Sequence, residues 1–111
     1  MEIGKESVDG VLVVEPGGPR LDAATAPSFK SFMVDIITEG AAGILVDLSK
    51  VDFMDSTGLA SLMSSMKTLS GKGEIVLCGA SDKLRKLFAI TKLDRGVFRI
   101  FATRKEALEK F

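Results

Sequence analysis

Residues 46–59 read Val46-Asp47-Leu48-Ser49-Lys50-Val51-Asp52-Phe53-Met54-Asp55-Ser56-Thr57-Gly58-Leu59, or VDLSKVDFMDSTGL. The stretch leaves an apolar run, Ile44 to Leu48, that only Asp47 interrupts, the pattern of a strand buried in a sheet. It passes through small hydroxyl residues and carboxylates, of which Asp55 and Ser56 are good helix caps. Beyond them Leu59, Leu62, Met63, Met66 and Leu69 recur at helical spacing. A strand followed at once by a helix of this length is half of a βαβ crossover, which joins parallel strands.

The rest of the chain repeats that grammar. Upstream, Val8-Asp9-Gly10-Val11 sets Asp-Gly between two strand-like runs, a hairpin signal because both turn positions need positive φ. Val11 to Val14 is the second strand, and Pro16-Gly17-Gly18-Pro19 ends it. Asp22, Thr25 and Pro27 suit the start of a helix. Its apolar face is Phe29, Phe32, Met33, Ile36 and Ile37, and Gly40 closes it. Downstream, Gly71 and Gly73 break the second helix before a buried strand, Ile75 to Cys78. Ser81 caps a third helix carrying Leu84, Leu87 and Phe88. Val97 to Phe101 reads as a last strand, and Thr103 caps a last helix through Ala107 and Leu108. The order ββαβαβαβα predicts an α/β fold: a mixed sheet of about five strands, an N-terminal antiparallel hairpin, parallel βαβ units and about four helices. A length of 111 residues suits one domain spanning 1–111.

Composition narrows the function. Fifteen Lys and Arg balance fifteen Asp and Glu, so no global field draws nucleic acid or an anionic membrane. The chain has no histidine, which removes Ser-His-Asp triads, imidazole bases and His-containing metal sites. The single cysteine, Cys78, makes neither an internal disulfide nor a zinc site and reads as a small core residue. No apolar stretch is long enough to span a bilayer. The first residues lack the basic and apolar regions of a signal peptide, so the expected compartment is the cytoplasm. No metal or cofactor is expected.

In open α/β sheets, sites gather beyond the carboxyl ends of the strands, and Ser49 to Ser56 lies there. A helix starting near Asp55 or Ser56 would leave the backbone N–H groups of Thr57, Gly58 and Leu59 without helical partners, an arrangement that favours anions, including a covalently attached phosphate. A plain N-cap accounts for the same residues. A nucleophilic Ser56 has no evident base beside it. The outward face of the following helix is expected to be Ser61, Ser64, Ser65 and Thr68, with Ala60 nearby and Lys67 its one charge. Such a face admits a closely packed partner; loops folded over it would explain it equally well.

Elsewhere, Gly17-Gly18 and Gly71-Lys72-Gly73 lack phosphate-loop spacing and read as turns. Between Ser81 and Gly96, five cations (Lys83, Arg85, Lys86, Lys92, Arg95) oppose Asp82 and Asp94. With Phe88 on the apolar helix face and no other aromatic in the stretch, this argues for a solvated helix and against nucleic-acid binding.

The chain resembles the anti-sigma factor antagonists, STAS-domain proteins of bacterial partner-switching systems. The resemblance rests on Arg20-Leu21-Asp22-Ala23, Val46-Asp47-Leu48-Ser49 and Phe53-Met54-Asp55-Ser56-Thr57-Gly58-Leu59, with Leu87-Phe88, Thr91-Lys92-Leu93 and Glu106-Ala107-Leu108 beyond. It implies that Ser56 is phosphorylated by an anti-sigma factor serine kinase of the histidine-kinase-like ATPase superfamily. The unmodified form would bind that kinase and release the sigma factor, and a PP2C-type phosphatase would reset the modified form. The partner would contact Asp22, Met54, Asp55, Thr57, Gly58, Leu59, Ser61, Ser64 and Ser65. Such a protein is a substrate and not an enzyme. The alternative is a STAS accessory subunit of a membrane lipid or anion transporter.

Overall fold

A computed structural model describes residues 2–111. Strands β1 (Ile3–Val8) and β2 (Val11–Pro16) form the antiparallel hairpin. Asp9 and Gly10 both have positive φ, 50° and 83°, the requirement of the two-residue turn whose twist matches the strands. After β3 (Arg20–Leu21), helix α1 (Ala26–Thr38) leads to β4 (Gly43–Asp47), and β5 (Phe53–Met54) leads to α2 (Ser56–Leu69). Then follow β6 (Glu74–Cys78), α3 (Asp82–Ile90), β7 (Arg99–Phe101) and α4 (Arg104–Leu108). The five-stranded sheet runs β1-β2-β4-β6-β7, parallel after the hairpin. Ser81 and Thr103 cap their helices as expected, their hydroxyls accepting from the Leu84 and Glu106 amides at 3.2 and 3.1 Å.

Two features differ from the sequence reading. β3 and β5 form a separate parallel ribbon, Arg20 opposite Phe53 and Leu21 opposite Met54. A strand of two residues is too short to show alternation, so its sequence carries no signal. The last strand is also shorter than Val97 to Phe101, because the Phe98 amide donates to the Leu93 carbonyl at 2.9 Å instead of joining the sheet.

The sheet separates two apolar layers. Ile44, Val46, Ile75 and Leu77 face the buried side chains of α1, α2 and α3, among them Phe29, Met33, Leu62 and Phe88. Leu45, Val76 and Cys78 face the other way, with Val11 and Val13, toward Ala107 and Leu108 of α4. Because adjacent strand residues point to opposite faces and both faces are covered, β4 and β6 are apolar almost throughout.

Asp47 is the buried exception. It lies buried at the end of β4, where Arg104 donates two hydrogen bonds to it at 2.9 and 3.1 Å and the Ser49 amide a third at 3.0 Å. Arg104 also reaches Glu15 at 3.2 Å, and Glu15 pairs with Lys50 at 2.8 Å. Burial works against the Asp47 charge, but hydrogen bonds from Ser49 and Arg104 prevail and hold the carboxyl below its ordinary range. The network fastens α4 to the ends of β2 and β4. Burial, reinforced by the Asp47 charge, pushes the Cys78 thiol up to about 12, so it stays protonated at neutral pH.

Candidate functional site

The β3–β5 ribbon builds the site. Leu21 and Met54 are buried, whereas Arg20, Asp22, Phe53 and Asp55 flank them in alternation and keep exposure. In extended chain this alternation puts the last four on the outer face. Asp55 leaves the ribbon as the N-cap of α2: its Oδ1 accepts from the Gly58 amide at 2.9 Å and its Oδ2 from the Ala23 amide at 3.3 Å. One carboxylate thus ties the helix start to the loop after β3. Arg20 Nε donates to Asp22 Oδ2 at 2.9 Å. That bond, aided by the Ala24 and Thr25 amides against a burial cost, lowers the Asp22 carboxyl below its ordinary range.

Gly58 is what lets α2 sit on the ribbon. A Cβ there would stand 2.2 Å from the Leu21 carbonyl oxygen and 2.8 Å from Met54 Cγ, far inside contact distance. Ser56 and Thr57, the first two residues of the helix, are exposed. The amides are fewer than expected. Gly58 donates to the Asp55 side chain and Leu59 to the Asp55 carbonyl at 3.0 Å, so Thr57 alone of the three keeps an amide without a partner among the described residues.

The expected hydroxyl face needs correction. Ser61 and Ser65 are buried, at 4% and 0% exposure. Their hydroxyls donate to the Gly58 and Ser61 carbonyls at 2.6 and 2.7 Å. A serine that bonds back to its own helix carries no unmet polar group and can be packed like a small apolar residue; polarity alone misplaces it outside. Met54, Gly58 and Leu59 are buried as well, so these five shape the site from beneath and leave little surface to a partner. Met63, expected in the core, is 39% exposed. The outward stripe of α2 is Ser56, Ala60, Met63 and Lys67, flanked by Thr57, Ser64 and Thr68. The spacing 56, 60, 63, 67 is one helical face, and it carries a single charge.

The sequence reading missed the surroundings of Phe53. The Arg20 guanidinium lies 4.3 Å from the centre of its ring and Lys83 Nζ lies 5.3 Å from it. Arg20 comes from β3 and Lys83 from α3, so no local spacing signals the cluster. Among the described residues no group of three or more His, Cys, Asp or Glu side chains could hold a metal ion. No helix there is long and apolar enough to cross a membrane.

The STAS domain family model matches residues 2–107. An anti-sigma-B factor antagonist of Listeria monocytogenes is 38% identical over 95 residues, covering 84% of this chain and 81% of its own. The crystal structure of an anti-sigma factor antagonist from Mycobacterium paratuberculosis superimposes with a TM-score of 0.89 at 26% identity, over 98% of this chain and 92% of that one. SpoIIAA of Bacillus, in its phosphorylated form, shares the fold with a TM-score of 0.73 at 23% identity over 98% of each chain. The chain therefore belongs to the STAS-domain anti-sigma factor antagonist family.

Proposed function

We propose that this protein is the antagonist of a partner-switching system, with Ser56 as its switch. The unmodified protein docks the α2 stripe on an anti-sigma factor serine kinase and so frees the sigma factor. The kinase phosphorylates Ser56, and a PP2C-type phosphatase reverses the step, in the cytoplasm. In this scheme the protein is a substrate and performs no chemistry. The observation that carries the reading is the exposed Ser56 immediately after the Asp55 cap, at the end of a helix stripe with one charge.

The physics of the block follows from that position. A phosphoryl group adds about −1.5 to −2 charges at pH 7. Solvent keeps the dianion stable on the free domain, and the start of a helix favours negative charge. A partner closing over the stripe would have to bury it, at a cost of several kcal/mol without matching cations. The fold survives while the interface does not.

Purified wild-type protein and Ser56→Ala are incubated with ATP, magnesium and a lysate of the native organism, then read by intact mass and site mapping. One phosphoryl group on Ser56, absent from the variant, is expected. No modification by a lysate active on another phosphoprotein would overturn the switch and favour the transporter-subunit alternative. With the kinase recovered from such a reaction, Ser56→Asp should bind at least about 100-fold more weakly than wild type, the effect of roughly 3 kcal/mol of unpaired buried charge. Ser56→Ala should bind as wild type; equal binding by both variants contradicts the scheme. The transporter alternative has less behind it, since the relative sharing 38% of its residues is named for sigma control.

A further inference from the structure

We propose that Arg20 and Lys83, gathered over Phe53, form the receiver for the phosphoryl group on Ser56, and that Arg20 exchanges Asp22 for it. The inference rests on Ser56 being the phosphorylated residue. Its basis is the outer face of the ribbon. Arg20 stands opposite Phe53, Asp22 and Asp55 come two residues further along each strand, and Ser56 follows directly. Two residues of extended chain span about 6.6 Å. Arg20 already covers that step, since its Nε bonds Asp22 at 2.9 Å. Its guanidinium therefore spans from the Phe53 ring, 4.3 Å away, toward the level of Asp55, on the side from which the modified residue follows.

The charges favour the exchange. The groups gathered here are Arg20 from β3 and Asp22 just after it, Asp52 and Asp55 from the segment entering α2, and Lys83 from α3. Asp55 spends its carboxylate on backbone amides. Among the described residues Lys83 makes no ion pair, and the one aromatic ring it lies over is that of Phe53. A phosphate dianion outbids a carboxylate for a guanidinium, which matches its oxygens two at a time. The exchange strands little: Asp22 Oδ1 keeps the Ala24 amide at 3.1 Å and lies 3.4 Å from the Thr25 hydroxyl, so only Oδ2 loses its partner. Phosphorylation then changes the docking edge twice, adding a dianion at Ser56 and uncovering the Asp22 carboxylate.

The test needs no kinase. Phosphoserine is installed at position 56 during translation, and its second ionisation is followed by 31P NMR beside the Nε–H resonance of Arg20. The expected pKa lies below the ordinary value of about 6, by roughly half a unit to one unit for an exposed pair. Arg20→Gln should remove most of that shift, and Lys83→Gln a smaller part of it. Lys86→Gln, an exposed cation on the same helix, should leave it unchanged. The Arg20 Nε–H resonance should move with the same midpoint. An Arg20→Gln titration matching wild type overturns the proposal, as does an equal shift in Lys86→Gln, which would reduce the effect to the general field. Circular dichroism confirms that the variants fold. These outcomes are independent of whether a lysate kinase modifies Ser56, so each reading can fail alone.

Discussion

Asp47 ends β4 and Asp55 follows β5, and each accepts from a nearby backbone amide, yet only one of them is also held by a cation. Asp47 is buried and answered by a side-chain cation from 57 residues away, Arg104. Asp55 is half-buried and answered by the amides of Gly58 and Ala23. The first arrangement clamps a helix to the sheet and leaves nothing free. The second consumes no cation, so the charged side chains beside it are not tied up in holding the start of α2. The same residue type fastens a helix to the sheet in one place and caps a helix beside an exposed serine in the other, and the difference is where its partners come from.

Breaking the backbone side of this comparison should have the larger effect on stability. Gly58→Ala sets a methyl group against the Leu21 carbonyl, which cannot rotate away. Overpacking of this kind costs about 1–3 kcal/mol or more, offset by less than about 1 kcal/mol of helix propensity in the first turn. Urea unfolding should show a net loss near 2 kcal/mol, and wild-type stability would mean that ribbon and helix separate freely.

On the ionic side, Asp47→Asn should lose about 1–2 kcal/mol at pH 7, because charge-assisted hydrogen bonds become neutral ones. The pH dependence sharpens this. The folded Asp47 carboxyl lies below its ordinary range, and the unfolded value is about 3.9. Its stabilisation is therefore complete above about pH 4 and is lost as pH falls toward the folded value. Stability of wild type should drop more steeply than that of Asp47→Asn as pH falls below 4; parallel curves would show that Asp47 is not the titrating clamp.

The smallest effect belongs to the solvent-facing end of the same network. Lys50 is 64% exposed in its pair with Glu15, so Lys50→Ala should cost no more than about 0.5 kcal/mol, reduced further by salt. A loss comparable to that of Asp47→Asn would mean that the four charges act as one unit.

Apart from β3 and β5, the elements are readable from the chain because each is written in nearest neighbours: the Asp9-Gly10 turn, the apolar runs of β4 and β6, the helical repeats, and the caps Asp55, Ser81 and Thr103. The surface of α2 is not. Ser61, Ser65 and Met63 were assigned to the wrong sides because polarity predicts exposure only when a polar group has no other partner. Both serines find one within their own helix. The cluster on Phe53 leaves no trace in spacing, because Arg20 and Lys83 reach that ring only after α1, β4, β5, α2 and β6 have been placed.

What the sequence determined by itself was the alternation of strands and helices and the position of an Asp-Ser-Thr-Gly start to α2, since periodicity and capping are local physics. Only the tertiary structure decided that β3 lies against β5, that Gly58 rests on the Leu21 carbonyl and that Asp47 meets Arg104. Those contacts join residues 33 to 57 positions apart; they form when the sheet and its helices close, and no local preference encodes them.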